Sequence, residues 1–226
     1  PFNLPVVEFL DEIIFDPQIT FFVGENGTGK STLMEAIAVA YGLNAEWWSQ
    51  NFNFTTQETH SELSKHIRLT KWISRPKDKY FLRAESFYNV ASNIDDLDQE
   101  PSFGPPIKDS YGWVSLHEQS HGESFFSLFV HRLSGHGMYI LDEPEAALSP
   151  NRQLAFLTRM HELIEQESQF IIATHSPILL SYPRAKIIQI SEHGFEEVDY
   201  KNTQHYMLYK DFLVNPEYML KKLRIN

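Results

Sequence analysis

The stretch Gly24–Ser31, GENGTGKS, constrains the fold more than any other part of the chain. It fits the pattern G-x-x-x-x-G-K-[ST], it follows an apolar run at residues 19–23, and it precedes helix-forming residues at 31–41. A glycine-rich loop between a strand and a helix lets backbone N–H groups converge on an anion, and the helix N-terminus adds partial positive charge. This context predicts a phosphate-binding loop in an α/β fold.

The polar residues of the loop have expected contacts with a nucleoside triphosphate. Lys30 is expected to reach the β- and γ-phosphates, Ser31 to bind Mg²⁺, and Thr32 to contact the α-phosphate. The rest of the nucleotide-binding loop consists of Glu25, Asn26, Gly27, Thr28 and Gly29. The alternative is a glycine-rich turn without a ligand, which the flanking strand and helix disfavour. Kinases, GTPases and ATPases share such a loop, so other motifs must decide the reaction.

Two acids follow a second apolar stretch, residues 138–141. Asp142 is expected to hold Mg²⁺, directly or through water. Glu143 is then placed to polarise a water molecule for in-line attack on the γ-phosphate. An acidic cluster at the rim of a loop is the other interpretation, and the apolar strand directly before the acids disfavours it.

A histidine follows a third apolar stretch, in QFIIATHSP at residues 169–177. Carboxyl ends of parallel strands meet at one edge of a sheet, so His175 is expected to contact the γ-phosphate and the attacking water. A histidine after a strand is often structural, but its place after the two other motifs favours a functional role. Strands that alternate with helices predict a mostly parallel central sheet flanked by helices.

The composition restricts the class of protein. The chain has 226 residues, no cysteine and a formal net charge of −11. The lack of cysteine excludes disulfides and thiolate metal sites and is compatible with the cytoplasm. No apolar run of about 18 residues predicts a membrane span, and no signal-peptide pattern opens the sequence, which begins with Pro1. The acidic balance disfavours nucleic-acid binding. The basic residues between 65 and 83 have two interpretations, a solvent-exposed face or a site that binds nucleic acid directly.

The stretch HEQSH at residues 117–121 matches H-E-x-x-H, the pattern of zinc metalloproteases. On a helix, His117 and His121 would share one face and Glu118 would act as general base. Gly122 directly after the pattern weakens such a helix, so a zinc protease is the weakest of the alternatives.

In the order of its motifs the chain resembles the ABC-class ATPases, from about residue 19 to 180. The family signature, usually LSGGQ, precedes the acidic strand, and Ser120 and Gly122 match it here. His121 replaces a glycine of the signature and Glu123 replaces its glutamine. The resemblance implies that the signature, including Glu123, contacts ATP held by a second subunit. The implied active form is a head-to-tail homodimer with two ATP molecules sandwiched between the protomers.

The acidic segment DEPEAALSP resembles the soluble ATPases of the RecF, OLD-nuclease and chromosome-maintenance groups. Transporters usually have threonine where Glu145 stands and aspartate where Ser149 stands. Small stand-alone bacterial ATPases share this segment and also FLRAESF, SHGES and ATHSP. The resemblance implies an ATPase that acts on an unidentified protein partner, in DNA maintenance or phage defence. The alternatives are the nucleotide-binding subunit of a membrane transporter and an ATP switch that does not hydrolyse.

The family also has a glutamine that touches Mg²⁺ after the second strand, and no glutamine stands at residues 80–88. The resemblance makes Glu85 the substitute metal contact, with Arg83 as a partner of phosphate or of a glutamate. Phe9 and Phe15 are candidates for stacking on adenine, with core packing as the alternative for either residue.

The expected organisation is one ABC-type ATPase domain over residues 1–226, with a small antiparallel element. A core lobe is expected at about 1–42, 78–90 and 136–205, and a helical subdomain with the signature at about 43–77 and 91–135. A C-terminal helix is expected at about 206–226. Its apolar residues are expected to pack on the body, namely Leu208, Phe212, Leu213, Tyr218 and Leu223.

Overall fold

A six-stranded sheet forms the centre of the protein in the computed structural model, which describes residues 4–43, 62–70, 75–84, 126–127 and 129–225. The strands are β1 (Ile19–Gly24), β2 (Asp78–Arg83), β3 (Gly137–Asp142), β4 (Gln169–Ala173), β5 (Lys186–Ser191) and β6 (Gly194–Glu197). Their order across the sheet is β2-β3-β4-β1-β5-β6. All neighbours pair in parallel except β5 and β6, which are antiparallel. The predicted parallel sheet with a small antiparallel element is therefore confirmed.

Helices connect and cover these strands. They are α1 (Pro5–Glu8), α2 (Lys30–Tyr41), α3 (Pro150–Glu165), α4 (Pro177–Leu180), α5 (Gln204–Val214) and α6 (Pro216–Lys222). Short 3₁₀ turns lie at Glu62–Lys65, Pro144–Ala147 and Tyr200–Asn202, and residues 126–127 and 129–131 are helical. None of the helices in these described ranges has the length and apolar character needed to cross a membrane.

The sheet is buried on both faces, as expected for parallel strands. Successive residues of β1 point to opposite faces, so Phe21 and Phe22 belong to different apolar clusters. The cluster with Phe21 includes Phe156 of α3, whose ring packs edge-to-face on Phe129 at 4.4 Å between centroids. The cluster with Phe22 includes Leu33 of α2. The helix that follows the phosphate loop is thus fixed to the sheet by its apolar face.

The C-terminal segment differs from the single helix that the sequence predicts. Two helices, α5 and α6, meet at Asn215, which has φ −146° and ψ 72°. Pro216 explains the break, because a proline disfavours helical geometry in the preceding residue and has no N–H to donate. The Asn215 side chain then caps α6 by accepting a hydrogen bond from the Tyr218 N–H at 3.1 Å.

The expectation that the apolar residues of this segment pack on the body is wrong. Leu208 is 59% exposed and Leu213 is 73% exposed. The other members of the pattern are exposed as well, namely Phe212, Tyr218 and Leu223. Apolar spacing predicts a helix, but it does not specify which surface covers the apolar face. Among the described residues, nothing buries this face.

Substitution of Phe156 should test the cluster on the α3 side of the sheet. Its side chain is fully buried, so Phe156→Ala leaves a cavity and should lower the free energy of unfolding by about 3–5 kcal/mol. Leu154 lies on the same helix and is 55% exposed, so Leu154→Ala should change the free energy by no more than about 0.5 kcal/mol. Urea unfolding of both variants measures the difference. Equal losses would show that α3 does not pack as described.

Candidate functional site

The predicted motifs meet at one edge of the sheet because their strands are neighbours. β4 lies between β1 and β3, and Ala173 at its end pairs with both Phe22 of β1 and Asp142 of β3. The phosphate loop follows β1, Asp142 is the last residue of β3, and His175 follows β4 after one intervening residue. Neighbouring parallel strands that point the same way therefore bring the loop, the acids and the histidine together.

The loop after β1 has the backbone shape that its glycines predict. Gly27 has φ +84°, in the left-handed region that side chains disfavour. At Gly24, with φ +154°, a Cβ atom would lie 2.4 Å from the Ile190 carbonyl oxygen, so a larger residue would displace backbone. The first turn of α2 begins within this stretch, at Lys30, directly after Gly29.

Lys30 lies folded against the phosphate loop. Its Nζ donates to the carbonyl oxygens of Gly24 and Glu25, at 2.9 Å each. Burial lowers the pKa of Lys30, and the nearby carboxylates of Glu143 and Asp142 oppose that shift. An ammonium group held at the loop by two carbonyl oxygens can pair with an added anion such as a phosphate.

Ser31 and Asp142 are in contact, as a shared role in metal binding requires. The Ser31 hydroxyl donates to Asp142 Oδ1 at 3.2 Å. The other carboxylate oxygen, Oδ2, accepts from Arg83 Nε at 3.0 Å. Burial raises the pKa of Asp142, and the Arg83 guanidinium opposes the rise.

Arg83 contacts acidic residues at this edge, and the sequence analysis identified only part of this arrangement. Besides Asp142 it reaches Glu35 of α2, with 3.5 Å between Nη2 and Oε2. The expected glutamate partner is thus present as Glu35, whereas the pairing with Asp142 was not expected. The positive charge of Arg83 belongs to this cluster and not to a solvated basic face.

Glu143 adopts an unusual backbone conformation. Its φ and ψ are both 51°, in the left-handed region, while its N–H still donates to the Ala173 carbonyl at 2.9 Å. The chain therefore turns sharply one residue after β3. A non-glycine residue in this region costs about 1–2 kcal/mol, and such strain is concentrated at functional sites. The turn leaves the carboxylate Oε1 at 3.3 Å from His175 Nε2.

The backbone at His175 is fixed by Glu145, a contact that the sequence analysis missed. Oε1 of Glu145 accepts a hydrogen bond from the His175 N–H at 2.5 Å. On the other side, the Ser176 hydroxyl donates to Gln153 Oε1 at 2.5 Å and caps α4 by accepting from Ile178 and Leu179. Burial raises the pKa of Glu145, and its bond from His175 opposes the rise. The available signal in the sequence was Glu145 itself, since transporters usually have a threonine at this position.

A second histidine, His205 in the first turn of α5, contacts the ring of His175. His175 Nδ1 and His205 Nε2 are 2.9 Å apart, and the two rings pack at 4.9 Å between centroids. Burial lowers the pKa of both histidines. The sequence offered no signal for this contact, because His205 belongs to no motif and its helix was expected only as a packing element.

The residues at this edge fit a magnesium nucleotide. The donor set includes an ammonium group in Lys30, and Mg²⁺ is commonly held by one or two protein oxygens together with phosphate oxygens, which Ser31 and Asp142 can supply. In the described part of the chain, the buried side-chain atoms without a hydrogen-bond partner are Glu145 Oε2, His175 Nε2 and His205 Nδ1. All three belong to this cluster. Unpartnered buried polar atoms are rare in proteins, and their grouping at this edge supports it as the candidate site.

Several predicted residues lie outside the described ranges. These are Glu85 and the signature residues Ser120, Gly122 and Glu123, together with the HEQSH stretch. Of the adenine-stacking candidates, Phe15 packs its ring on Phe22 at 6.3 Å between centroids, and Phe9 is 44% exposed.

A family model described as "AAA domain, putative AbiEii toxin, Type IV TA system" matches residues 92–181, less than half of the chain. A comparison with curated proteins finds no match. Among solved structures, the SMC head domain from Thermotoga maritima is 16% identical, with a TM-score of 0.45 over 83% of this chain and 92% of that one. A dimeric bacterial ABC transporter cassette is 14% identical, with a TM-score of 0.48 over 84% and 89% of the two chains.

The strand order, the position of the phosphate loop and the family match all point to the same kind of fold. A mostly parallel sheet with helices on both faces carries the loop after β1 and the acids after β3. The chain has an α/β fold of P-loop type, with the mostly parallel sheet that the sequence predicts.

Proposed function

We propose that this protein hydrolyses ATP to ADP and phosphate, with Mg²⁺ as cofactor. The observation that carries the proposal is the pairing of Glu143 and His175 beside Lys30. Glu143 Oε1 lies 3.3 Å from His175 Nε2, and this buried nitrogen has no hydrogen-bond partner among the described residues. A carboxylate and an imidazole next to a phosphate-binding lysine suit a water molecule that attacks a phosphoryl group.

In the proposed reaction Glu143 accepts a proton from water as the water oxygen bonds to the γ-phosphorus. The bond from that phosphorus to the β,γ-bridging oxygen breaks, and ADP leaves with its electron pair. His175 Nε2–H donates to the γ-phosphate or to the water and orients them. Lys30 pairs with the β- and γ-phosphates, while the backbone of residues 25–29 and Thr32 bind the remaining phosphate oxygens.

Ser31 and Asp142 would hold the metal ion, with Glu85 as a further contact. Bound Mg²⁺ would neutralise charge on the phosphate oxygens as the bond to the leaving group breaks. The Ser31–Asp142 contact of 3.2 Å supports this assignment, because it places the two oxygens close enough to bind one ion. Arg83 supports it indirectly, since it compensates the charge of a buried carboxylate when no cation lies beside it.

The active form in this proposal is a head-to-tail homodimer with ATP bound between the protomers. Ser120, Gly122 and Glu123 of one protomer would contact ATP held by the other, as the signature of ABC-class ATPases implies. His175 Nε2 has no hydrogen-bond partner among the described residues, which supports a site that ATP and the second protomer complete. Closure on ATP and opening after hydrolysis would then act on a protein partner.

The partner and pathway are the least constrained part of the proposal. The matched family's description names a toxin and a type IV toxin–antitoxin system, which supports a role in defence over one in transport. We place such a protein in the cytoplasm, where ATP and the proposed partner would meet. The single domain over residues 1–226 is part of the same proposal.

Replacing Glu143 should separate nucleotide binding from hydrolysis. Glu143→Gln removes the proton acceptor but keeps the shape of the side chain, so phosphate release should fall at least about 100-fold. ATP binding, measured by calorimetry, should persist. Glu196→Gln changes an exposed acid of β6 and should leave phosphate release unchanged. If the wild-type protein releases no more phosphate than Glu143→Gln, with candidate partners present, the proposed activity is wrong.

The same variant should reveal the dimer, because it traps bound ATP. Size-exclusion chromatography with light scattering should give twice the monomer mass for Glu143→Gln with ATP and Mg²⁺, and the monomer mass without them. The double variant Lys30→Ala/Glu143→Gln should stay monomeric under both conditions, since it lacks the ammonium group that pairs with phosphate. A monomer under every condition, with ATP shown to be bound, would contradict the sandwich but not the hydrolysis.

A further inference from the structure

We propose that His205 is a positioning residue that holds His175 in the tautomer with its proton on Nε2, the nitrogen that faces Glu143. The proposal extends the proposed ATP hydrolysis and rests on it for its functional meaning. Whether Nδ1 or Nε2 of His175 carries the proton can be tested independently of that function.

The contact between the two rings leaves two possible proton arrangements. With 2.9 Å between His175 Nδ1 and His205 Nε2, one nitrogen must donate and the other must accept. If His205 Nε2–H donates, His175 keeps a bare Nδ1 and carries its proton on Nε2. If His175 Nδ1–H donates, the proton of His205 moves to its Nδ1 and His175 Nε2 becomes a bare acceptor.

The surroundings of His205 favour the first arrangement. Its Nδ1 is buried and has no hydrogen-bond partner among the described residues. An N–H group there would be buried without an acceptor, which is unfavourable. A bare nitrogen at the same place leaves no donor unsatisfied, so His205 carries its proton on Nε2.

The surroundings of His175 favour the same arrangement. Its Nε2 lies 3.3 Å from the carboxylate oxygen Oε1 of Glu143. A bare nitrogen would face that negative charge with its lone pair, whereas an N–H group faces it with a positive end. The atom has no aligned hydrogen bond in the described part of the chain, so its proton is available for a further acceptor.

A doubly protonated ring is disfavoured on both sides of the contact. A cationic His205 would place an N–H on the buried, unpartnered Nδ1. A cationic His175 would donate from Nδ1 and force the same outcome on His205. Burial and the ammonium group of Lys30 both lower the pKa of each histidine, although Asp142 opposes the shift at His175. The buried Nδ1 of His205 thus favours two neutral rings, and the contact couples their tautomers.

The start of α5 is anchored so that His205 keeps its place. Thr203 is fully buried and caps the helix by accepting a hydrogen bond from the Tyr206 N–H at 3.2 Å. The Tyr200 hydroxyl donates to the Pro177 carbonyl at 2.9 Å, two residues after His175. The rings of Tyr200 and Tyr206 pack at 4.7 Å between centroids. The segment before α5 thus keeps His205 next to the loop that carries His175.

The first test measures the tautomer without reference to activity. A long-range ¹H–¹⁵N spectrum of the histidine rings should show His175 protonated on Nε2 and bare on Nδ1 at pH 7. The resonance is assigned by its loss in His175→Gln. His205→Leu removes the donor and should give a mixture of both tautomers at His175. A proton on His175 Nδ1 in the wild-type protein, or an unchanged spectrum in His205→Leu, would overturn the proposal.

The second test measures the effect on the proposed reaction. His205→Leu should lower kcat for phosphate release by about 10- to 100-fold, because substitution of residues that orient a functional histidine has effects of this size. KM for ATP should change less than about threefold, since Lys30 and the loop still bind the phosphates. His205→Gln places an amide N–H near the position of the lost donor and should restore most of kcat.

A matched control separates orientation from general structure. His161 of α3 also makes a ring contact, with Nδ1 at 2.9 Å from the Tyr182 hydroxyl, and it belongs to none of the motifs of the site. His161→Leu should leave kcat unchanged. Equal kcat in wild type and a folded His205→Leu would refute the positioning role, while loss of activity in Glu143→Gln would still support hydrolysis. No rescue by His205→Gln, with the same loss in His161→Leu, would indicate a structural effect and also refute it.

Discussion

The parallel pairing of β3, β4 and β1 is the constraint on which the site depends. Ala173 at the end of β4 pairs with Asp142 at the end of β3 and with Phe22, two residues before the end of β1, so the segments that follow the three strands begin at the same edge of the sheet. Side chains alternate between the faces of a sheet, and a slip of one residue would turn Asp142 away from Ser31. The apolar residues on both faces specify the register, because each cluster buries only one alternate set. Core packing thereby fixes the distance between the loop and the acids.

Local sequence was sufficient to predict the parts of the fold that have a local physical cause. The loop GENGTGKS needs glycines for its backbone conformation and a following helix whose N-terminus attracts an anion. The motif therefore predicted its neighbours β1 and α2. Apolar runs before Asp142 and His175 predicted β3 and β4 for a similar reason, since buried strands require them. The antiparallel pair of β5 and β6 was visible as two short apolar runs around a turn.

The partners of the site residues were harder to predict, because they come from distant parts of the chain. Arg83 contacts Asp142 only because β2 is the neighbour of β3. Glu145 reaches the backbone of His175 through the turn that follows the left-handed Glu143. His205 lies on a helix whose apolar pattern indicated burial, whereas its first turn packs on the site and its remaining apolar residues are exposed. Strand order, backbone turns and helix docking are tertiary properties that no short pattern contains.

The site combines several features that each oppose folding. Glu143 has a strained backbone, and buried atoms of Glu145, His175 and His205 have no partner in the described part of the chain. Asp142 and Glu145 have pKa values raised by burial, so folding disfavours the charged forms that a cation or a backbone N–H would stabilise. These costs add in one small region because, in the proposed reaction, the same groups would contact phosphate, metal and water. A protein that needed only to be stable would have no reason to place them together, and the large apolar clusters on both faces of the sheet offset them.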